Sequence, residues 1–272
     1  MREMKKYVIS LAILATLLTS CASEFNRVYK TTDNDYKYEF AKECFARGKF
    51  TQAITLLQEL VTIQKGTDNA QECLYMLAMA EYCDRDYESA SETFKKYYQT
   101  YPKGIYAEQA AFYIGQSLYQ STPEPRLDQT ATVNAISAYQ DFLDFFPESQ
   151  LKAKASSRMF ELTDKLVLKE YLSAKLYYNL GDYFGNCTNG GSNFEACIVT
   201  SENALKTYPF TTMREQFAVL IMKSKYELAR QSVEEKKIER YRDAEDECYG
   251  FINEYPESVE RKTAERYIKK CK

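Results

Sequence analysis

The sequence predicts an all-α protein, a superhelical array of about five helix pairs that ends in a C-terminal capping helix. The composition is the first reason, because a chain of 272 residues with 9 Gly, 6 Pro and 24 Tyr, and with abundant Ala, Leu, Lys and Glu, is typical of packed helices. The second reason is a pattern of small and bulky residues that recurs at fixed distances before four prolines. The third is an apolar stripe at helical spacing ahead of one of these copies.

Four prolines end the repeated segments, and an aromatic residue precedes each of them: Pro102, Pro147, Pro209 and Pro256. Small residues stand twelve positions earlier, at Ala90, Ala135, Cys197 and Ala244. The positions eight and five before each proline are mostly bulky: Phe94, Tyr139, Ser201 and Cys248, then Tyr97, Phe142, Ala204 and Phe251. The pattern resembles the second helix of a tetratricopeptide repeat, in which a small residue lets two helices approach and a proline ends the pair.

The first three pairs follow from this pattern in chain order. The first pair covers residues 38–60 and lacks the final proline, because Lys65 stands in its place. The second begins with the apolar stripe over residues 74–82. The third has Gly115 in its first helix, followed by an insert over residues 121–131 that contains two prolines.

The later pairs are longer. In the fourth, Gly181 is followed by a Gly-rich loop over residues 186–193, which delays the second helix. The fifth covers residues 217–256, and residues 259–270 are predicted to form the capping helix. A single helix pair cannot bury its apolar face, so stacking the pairs produces a continuous core and a concave groove.

The N-terminal residues predict the signal sequence of a lipoprotein. Basic residues precede an apolar run over residues 7–18, and this run is too short to span a bilayer. It ends in a motif similar to the bacterial lipobox: Leu18, Thr19, Ser20 and Cys21. We therefore expect cleavage before Cys21 and acyl chains on this residue, which anchor a protein without a transmembrane helix. The alternative is an ordinary signal peptide with an incidental cysteine.

This interpretation divides the chain into three parts. Residues 1–20 form the signal peptide, residues 21–33 a lipidated tether and residues 34–272 the repeat domain. No aspartate follows Cys21 to retain the protein in the inner membrane, so we expect the outer membrane, on its periplasmic face. Export to the cell surface is disfavoured, because residues 22–26 carry a single acid.

The titratable residues exclude several classes of function. The chain has no histidine, which excludes His-based catalytic triads and His-ligated metals. Its formal charge is −3, so no basic face for nucleic acid is predicted. Acidic runs such as Glu234-Glu235 and residues 243–247 are typical of solvated helix faces. We therefore predict a protein that is not an enzyme and that has no cofactor and no metal site.

The cysteines allow one local disulfide. Besides Cys21 the chain has seven cysteines, an odd number that cannot pair completely. Cys187 and Cys197 bracket the Gly-rich loop and can form a disulfide in an oxidising compartment. The alternative is that the cysteines at apolar helix positions are free and pack as small hydrophobic residues.

Tyrosines on the first helices are the candidates for binding an extended peptide. First helices of tetratricopeptide repeats normally line the concave side of the array, and aromatic side chains there combine an apolar ring with a polar hydroxyl. The candidates on this basis are Tyr38, Tyr75, Tyr82, Tyr106 and Tyr113. The alternative for each of them is packing in the core.

Three segments carry motifs beyond the generic repeat. They are Tyr38 with Ala41, Phe45, Gly48 and Phe50, then Asp128-Gln129-Thr130, and finally Glu170-Tyr171 with Ala174 and Tyr177. Together with the lipobox and the repeats, they resemble the BamD family of outer membrane assembly lipoproteins over nearly the whole mature chain. Residues 65–69, which lack the aromatic–proline ending, and the loop over residues 186–193 depart from the family's pattern.

The resemblance implies a lipid-anchored scaffold of the outer membrane β-barrel assembly machinery. Its later repeats would bind the periplasmic domains of a BamA-like barrel protein, with residues 170–256 as the interface, and its first repeats would meet unfolded outer membrane proteins. Asp128 or Thr130 is expected to cap the helix that begins near Ala131, and Glu170 to order its helix against a neighbour. The alternatives are a scaffold for peptidoglycan machinery and a glycan-binding lipoprotein of an uptake system.

Overall fold

The computed structural model describes residues 24–183 and 192–271. Within these ranges the chain forms eleven long α-helices, a short helical segment over residues 24–29 and no β-strand. The chain divides into two compact units. Of the described residues, the first contains 24–122 together with 130–159, and the second contains 123–129 together with 160–183 and 192–271.

The first unit contains three helix pairs and the start of a seventh helix. The six helices of these pairs are α1 (Asn34–Ala46), α2 (Phe50–Ile63), α3 (Ala70–Cys83), α4 (Tyr87–Thr100), α5 (Ala107–Ser121) and α6 (Thr130–Phe145). Each of them packs against the next along the chain. The seventh helix, α7 (Lys152–Leu180), begins in the first unit and continues in the second.

The second unit contains the rest of α7 and four further helices, of which α8 packs on α9, α9 on α10 and α10 on α11. These helices are α8 (Asn193–Thr207), α9 (Arg214–Arg230), α10 (Glu234–Glu254) and α11 (Arg261–Cys271). The predicted all-α class is confirmed, with five consecutive pairs from α1–α2 to α9–α10 and a final helix in the place of the predicted cap.

The repeat pattern identifies the core. All twelve residues at its small and bulky positions are buried, and none is more than 3% exposed. Even the polar or small members are fully buried, as Ser201 and Cys248 show. The pattern therefore marks, in each of these four copies, the stripe of the second helix that faces the other helices.

Local signals set the helix boundaries. The carboxylate of Asp33 accepts a hydrogen bond from the backbone N–H of Tyr36 at 3.0 Å, and Asp86 caps α4 through Ser89 in the same way at 3.2 Å. The tight turns inside the first two pairs each need a left-handed residue, which is Gly48 with φ 72° in one turn and Arg85 with φ 68° in the other.

Gly115 is required for the packing of the third pair. A Cβ atom at this position would lie 2.8 Å from the ring of Tyr139, which is fully buried on α6. The Tyr139 hydroxyl donates a hydrogen bond to Oε1 of Gln116 at 3.0 Å. A glycine on α5 thus lets the helices approach closely enough for this buried ring to pack across the interface.

Two features differ in extent from the prediction. Helix α7 has 29 residues, whereas the motif at Glu170 located only its later part. The segment expected to be a tether is helical over residues 24–29, and Val28 is fully buried in the core formed by α1, α2 and α3. The segment over residues 24–29 is therefore packed against the first pair and does not extend away from it as a free tether.

The N-terminal predictions lie outside the described residues. These are the signal peptide over residues 1–20, the lipobox Leu18, Thr19 and Ser20, and the acylation site Cys21. Among the helices in the described part of the chain, none is both long and apolar enough to cross a membrane.

Candidate peptide-binding surface and motif residues

Four of the five predicted tyrosines come together in the first unit. Tyr75 and Tyr82 lie on α3, Tyr113 lies on α5, and Tyr106 directly precedes α5. The rings of Tyr75 and Tyr106 stack with centroids 4.3 Å apart and an interplanar angle of 10°. Tyr82 meets Tyr113 edge to face at 5.2 Å. We call these four residues the tyrosine cluster.

Buried rings from α4 support the tyrosine cluster. Phe94, which is fully buried, lies 5.8 Å from Tyr75 and 5.3 Å from Tyr113, measured between ring centroids. Tyr97 is also fully buried, and its hydroxyl accepts a hydrogen bond from the backbone N–H of Tyr106 at 3.3 Å. The four cluster tyrosines themselves are half-buried. The contacts with Phe94 and Tyr97 therefore fix the positions of these rings, while part of each tyrosine side chain stays exposed to solvent.

Two tyrosines of the tyrosine cluster, Tyr75 and Tyr113, have raised pKa values. Burial, and then the neighbouring tyrosines, raise the pKa of the Tyr75 hydroxyl above its usual value. Burial likewise raises the pKa of Tyr113. These phenols stay protonated at neutral pH and can donate hydrogen bonds, as Tyr75 does to Oε1 of Gln109 at 3.2 Å. The surface offers ring faces and hydroxyl donors, which suit an apolar, extended peptide.

The prediction for Tyr38 is wrong. Only 3% of this side chain is exposed, and it packs in the core of the first pair together with Val28 and Ala41. Burial, followed by the nearby carboxylate of Glu72, raises the pKa of its hydroxyl. The N-terminal segment that contributes Val28 belongs to the same core, so the first pair does not offer Tyr38 to a ligand.

The motif residue Gln129 shapes the loop between α5 and α6. Its side chain is 4% exposed, and its Nε2 donates hydrogen bonds to the carbonyl oxygens of Glu124 at 2.7 Å and Leu127 at 3.1 Å. Asp128 and Thr130 flank the start of α6, and their capping role stays a prediction. The sequence did not reveal the part played by Gln129, because its partners are backbone atoms of an irregular loop.

The second motif lies on α7. The ring of Tyr171 contacts Phe217 of α9 edge to face, with centroids 5.7 Å apart. Tyr177 packs against the same core cluster. The pKa of Tyr208, at the end of α8, is raised by burial and then by the charge of Glu170. These three motif residues therefore lie beside the helices that follow α7, and the ordering role of Glu170 stays a prediction.

Two turns of the second unit share a feature that the sequence analysis missed. Nη1 of Arg214 donates a hydrogen bond to the carbonyl oxygen of Pro209 at 3.0 Å, and Arg261 does the same to Pro256 at 3.2 Å. The signal is an arginine five residues after the proline in both turns. Each turn also carries an exposed apolar side chain, Phe210 at 94% and Val259 at 92%.

The described cysteines form no disulfide with one another. Six of them, Cys197 included, have no disulfide partner within the described residues, and Cys197 is fully buried. Cys187 lies outside the described residues, so the pairing of Cys187 with Cys197 stays a prediction. Over residues 24–183 and 192–271, no group of three or more Cys, Asp or Glu side chains is arranged to hold a metal ion.

Curated relatives of this chain are outer membrane assembly proteins. The chain is 22% identical over 177 residues to the outer membrane protein assembly factor BamD of Caulobacter vibrioides, which covers 64% of this chain and 58% of that protein. It is 26% identical over 136 residues to the putative outer membrane protein assembly factor BamD of Aquifex aeolicus, covering 50% and 43%. The matches thus span about half the length of these relatives.

Two further comparisons concern the fold and the family. Among solved structures, the chain is similar to the TPR2AB domain of yeast Sti1, with a TM-score of 0.40 and 13% identity, over 88% of this chain and 98% of that one. The model of the YfiO family, described as outer membrane lipoprotein, matches residues 30–189, which is more than half of the chain. This protein therefore belongs to the YfiO/BamD family of outer membrane lipoproteins.

Proposed function

We propose that this protein is a non-enzymatic scaffold in the assembly of outer membrane β-barrel proteins, held at the periplasmic face of the outer membrane by acyl chains on Cys21. Family membership and the resemblance to the BamD relatives support this role. The array of helix pairs is also consistent with it, since such arrays usually bind other proteins through extended surfaces.

The tyrosine cluster is the observation that carries the proposal. An unfolded barrel protein presents extended segments with apolar and aromatic side chains, and these can pack on the half-buried rings of Tyr75, Tyr82, Tyr106 and Tyr113. The underlying Phe94 and Tyr97 already fix the rings, so little conformational entropy is lost on binding. In this proposal the first unit binds the unfolded substrate.

The second unit provides the interface for a BamA-like barrel protein. We assign the partner to residues 170–256, and Phe210 is the most exposed large apolar side chain among the residues of that range that the structure describes. Arg214 holds the turn that carries Phe210 and also lies 3.5 Å from Glu254. An exposed aromatic side chain on a braced turn is a suitable anchor for a partner domain.

Photo-crosslinking tests the assignment of the tyrosine cluster. A photoreactive phenylalanine analogue replaces Tyr82 in the cluster or, as the control, Tyr249, which is 46% exposed on α10 of the second unit. We expect crosslinks to unfolded barrel proteins from position 82 and not from position 249. Equal crosslinking at both positions, or none at position 82 while the protein stays folded, would contradict the assignment.

Copurification tests the partner and the anchor. A tagged copy is extracted from the native membrane in mild detergent, and its companions are identified by mass spectrometry. We expect a large barrel protein with periplasmic domains, which Phe210→Asp should remove. Val259→Asp in the same unit is the control, because Val259 is 92% exposed and lies outside residues 170–256. Recovery of peptidoglycan enzymes or of a nutrient transporter in place of the barrel protein would refute the proposal.

A further inference from the structure

A basic pocket lies in the second unit, and neither Phe210 nor Val259 lines it. It has a volume of about 480 Å³ and is lined by the loop before α6 and by α7. Its lining residues are Arg126, Lys169, Leu172, Ser173, Lys175, Leu176 and Asn179. Among these lining residues, three carry positive charge, two are leucines and none is acidic. The pocket thus combines cations, neutral hydrogen-bonding groups and an apolar contact surface.

The loop geometry fixes the position of Arg126. The backbone N–H of Leu127 donates to the carbonyl oxygen of Glu124 at 3.0 Å, which closes a turn with Pro125 and Arg126 at its centre. Gln129, itself 4% exposed, binds the carbonyl oxygens at both ends of this turn. A buried side chain therefore shapes the loop that brings a guanidinium group to the pocket.

A second motif residue positions another cation. The ammonium group of Lys175 lies 5.7 Å from the centre of the Tyr171 ring, within the range of a cation–π contact. Tyr171 in turn contacts Phe217 of α9. The two motif segments, one at Gln129 and one at Tyr171, thus meet at the same pocket, and each supports one of its cations.

We propose that this pocket binds an acidic peptide segment of a partner protein, with an apolar side chain between its carboxylates. Carboxylates suit the guanidinium of Arg126 and the ammonium groups of Lys169 and Lys175 by charge complementarity. The apolar side chain packs on Leu172 and on Leu176, which is 57% exposed. A free phosphate ion would leave both leucines unused. This inference does not depend on the assembly role proposed above.

The concave form of the site favours a peptide over a membrane surface. The three cations line one pocket, whereas the same helix carries Asp164 and Glu170 nearby in sequence and the chain as a whole has a charge of −3. A flat anionic bilayer gains most from a broad basic face. A narrow acidic segment can place its carboxylates at the three cations alone. An anionic bilayer would also place negative charge against Asp164 and Glu170.

Peptide binding tests the proposal. The probe is a fluorescein-labelled octapeptide of alternating glutamate and leucine, titrated with the detergent-extracted full-length protein and followed by fluorescence anisotropy. We expect the double variant Arg126→Gln with Lys169→Gln to raise Kd at least about tenfold. The matched control, Lys103→Gln with Lys262→Gln, also removes two exposed positive charges and should change Kd less than about twofold.

A mutant cycle tests the positioning role of Gln129. Gln129→Ala should weaken peptide binding in the wild-type background and have no further effect once Arg126→Gln is present, because the loop acts through that arginine. Circular dichroism shows whether each variant is folded. If Gln129→Ala weakens binding equally in both backgrounds, Gln129 does not act through Arg126 and that part of the proposal is refuted.

Three competition results would overturn the peptide assignment. One is equal affinity for a peptide with glutamine in place of glutamate. Another is displacement of the probe by inorganic phosphate together with equal binding of a peptide that carries serine in place of leucine, which would indicate a free anion site. The last is binding of phosphatidylglycerol vesicles through the same cations without binding of the peptide.

Discussion

The second and fifth helix pairs follow the same repeat pattern, but different contacts join their helices. In α3–α4, the ring of Tyr75 contacts the rings of Phe94 and Tyr97 at 5.8 Å each. In α9–α10, the ring of Tyr226 contacts that of Tyr241 at 6.2 Å, and an ion pair is added, in which Lys225 binds Glu247 at 2.5 Å. The pattern therefore determines which positions are buried, while the residues beside them determine how far rings and how far charges join the two helices.

This difference has a functional consequence. Aromatic contacts are non-ionic and leave partly exposed ring faces, which makes the second pair suitable for an apolar ligand. In the half-buried ion pairs of the fifth pair, such as Lys225 with Glu247, the two charges neutralise each other. The strength of these pairs therefore depends on salt and pH. Its tyrosines serve the core, since Tyr226 stacks on Tyr267 of α11 at 3.9 Å. This contrast agrees with the proposal that the second pair binds an unfolded substrate, whereas no ligand of that kind is proposed for the fifth.

The largest expected effect on stability comes from one repeat position that is compared between the second and the fifth pair. Phe94 and Cys248 both lie eight residues before a proline and both are fully buried. Phe94→Ala should lower the free energy of unfolding by about 3–5 kcal/mol, because it removes a whole ring and leaves a cavity. Cys248→Ala should cost about 1 kcal/mol, since it removes a single sulfur atom. Equilibrium denaturation in urea measures both, and equal costs would contradict a core in which rings dominate the second pair only.

A smaller effect compares one glycine from each unit. Gly115→Ala should lower the free energy of unfolding by about 1–3 kcal/mol, because its Cβ would lie 2.8 Å from the buried Tyr139 ring. Gly250→Ala on α10 should raise it by about 0.5–1 kcal/mol, because no atom lies within 4 Å of the added Cβ and alanine favours a helix. The same denaturation experiment applies. A neutral or stabilising Gly115→Ala would show that the α5–α6 interface has room to adjust.

The sequence predicted the fold well where the repeat pattern was strong. All twelve pattern positions are buried, and the weak third copy at Cys197, Ser201 and Ala204 is no exception. The reason is that a stacked pair must bury the same stripe of its second helix whichever side chains fill it. The pattern was less informative for α7, whose residues before Glu170 lack the prolines and glycines that mark the ends of other helices.

The candidate site was harder to predict, because it depends on neighbours far away in the sequence. Of the five tyrosines predicted for a common surface, four come together, but Tyr38 is buried in the same core as Val28 of the N-terminal segment. Spacing along a helix cannot show which face an adjoining segment covers. The sequence identified Gln129 only as part of a motif. Its side chain donates hydrogen bonds to backbone carbonyl oxygens, which every residue has, so the sequence does not show which of them it binds.

The smallest effect uses two glutamates whose pKa values shift in opposite directions. Glu81 on α3 is 4% exposed, and burial raises its pKa above 4.5. The folded state then holds the proton more tightly than the unfolded state, so the free energy of unfolding falls as the pH rises from about 4.5 through the folded-state pKa. Replacing Glu81 by glutamine should raise the free energy of unfolding at pH 7, because a neutral amide avoids the cost of ionising a buried carboxyl group.

Glu260 in the second unit has the opposite sign. The hydrogen bond from Lys223, at 2.7 Å, is the main cause that lowers its pKa below 4.5. Its contribution is therefore present above pH 4.5 and is lost as the pH falls through the folded-state pKa. Glu260→Gln should cost about 1 kcal/mol or less at pH 7 and nothing in acid. Denaturation curves at several pH values test both variants. Slopes of the same sign would refute the contrast between a buried acid in the second pair and an ion-paired acid beside the fifth.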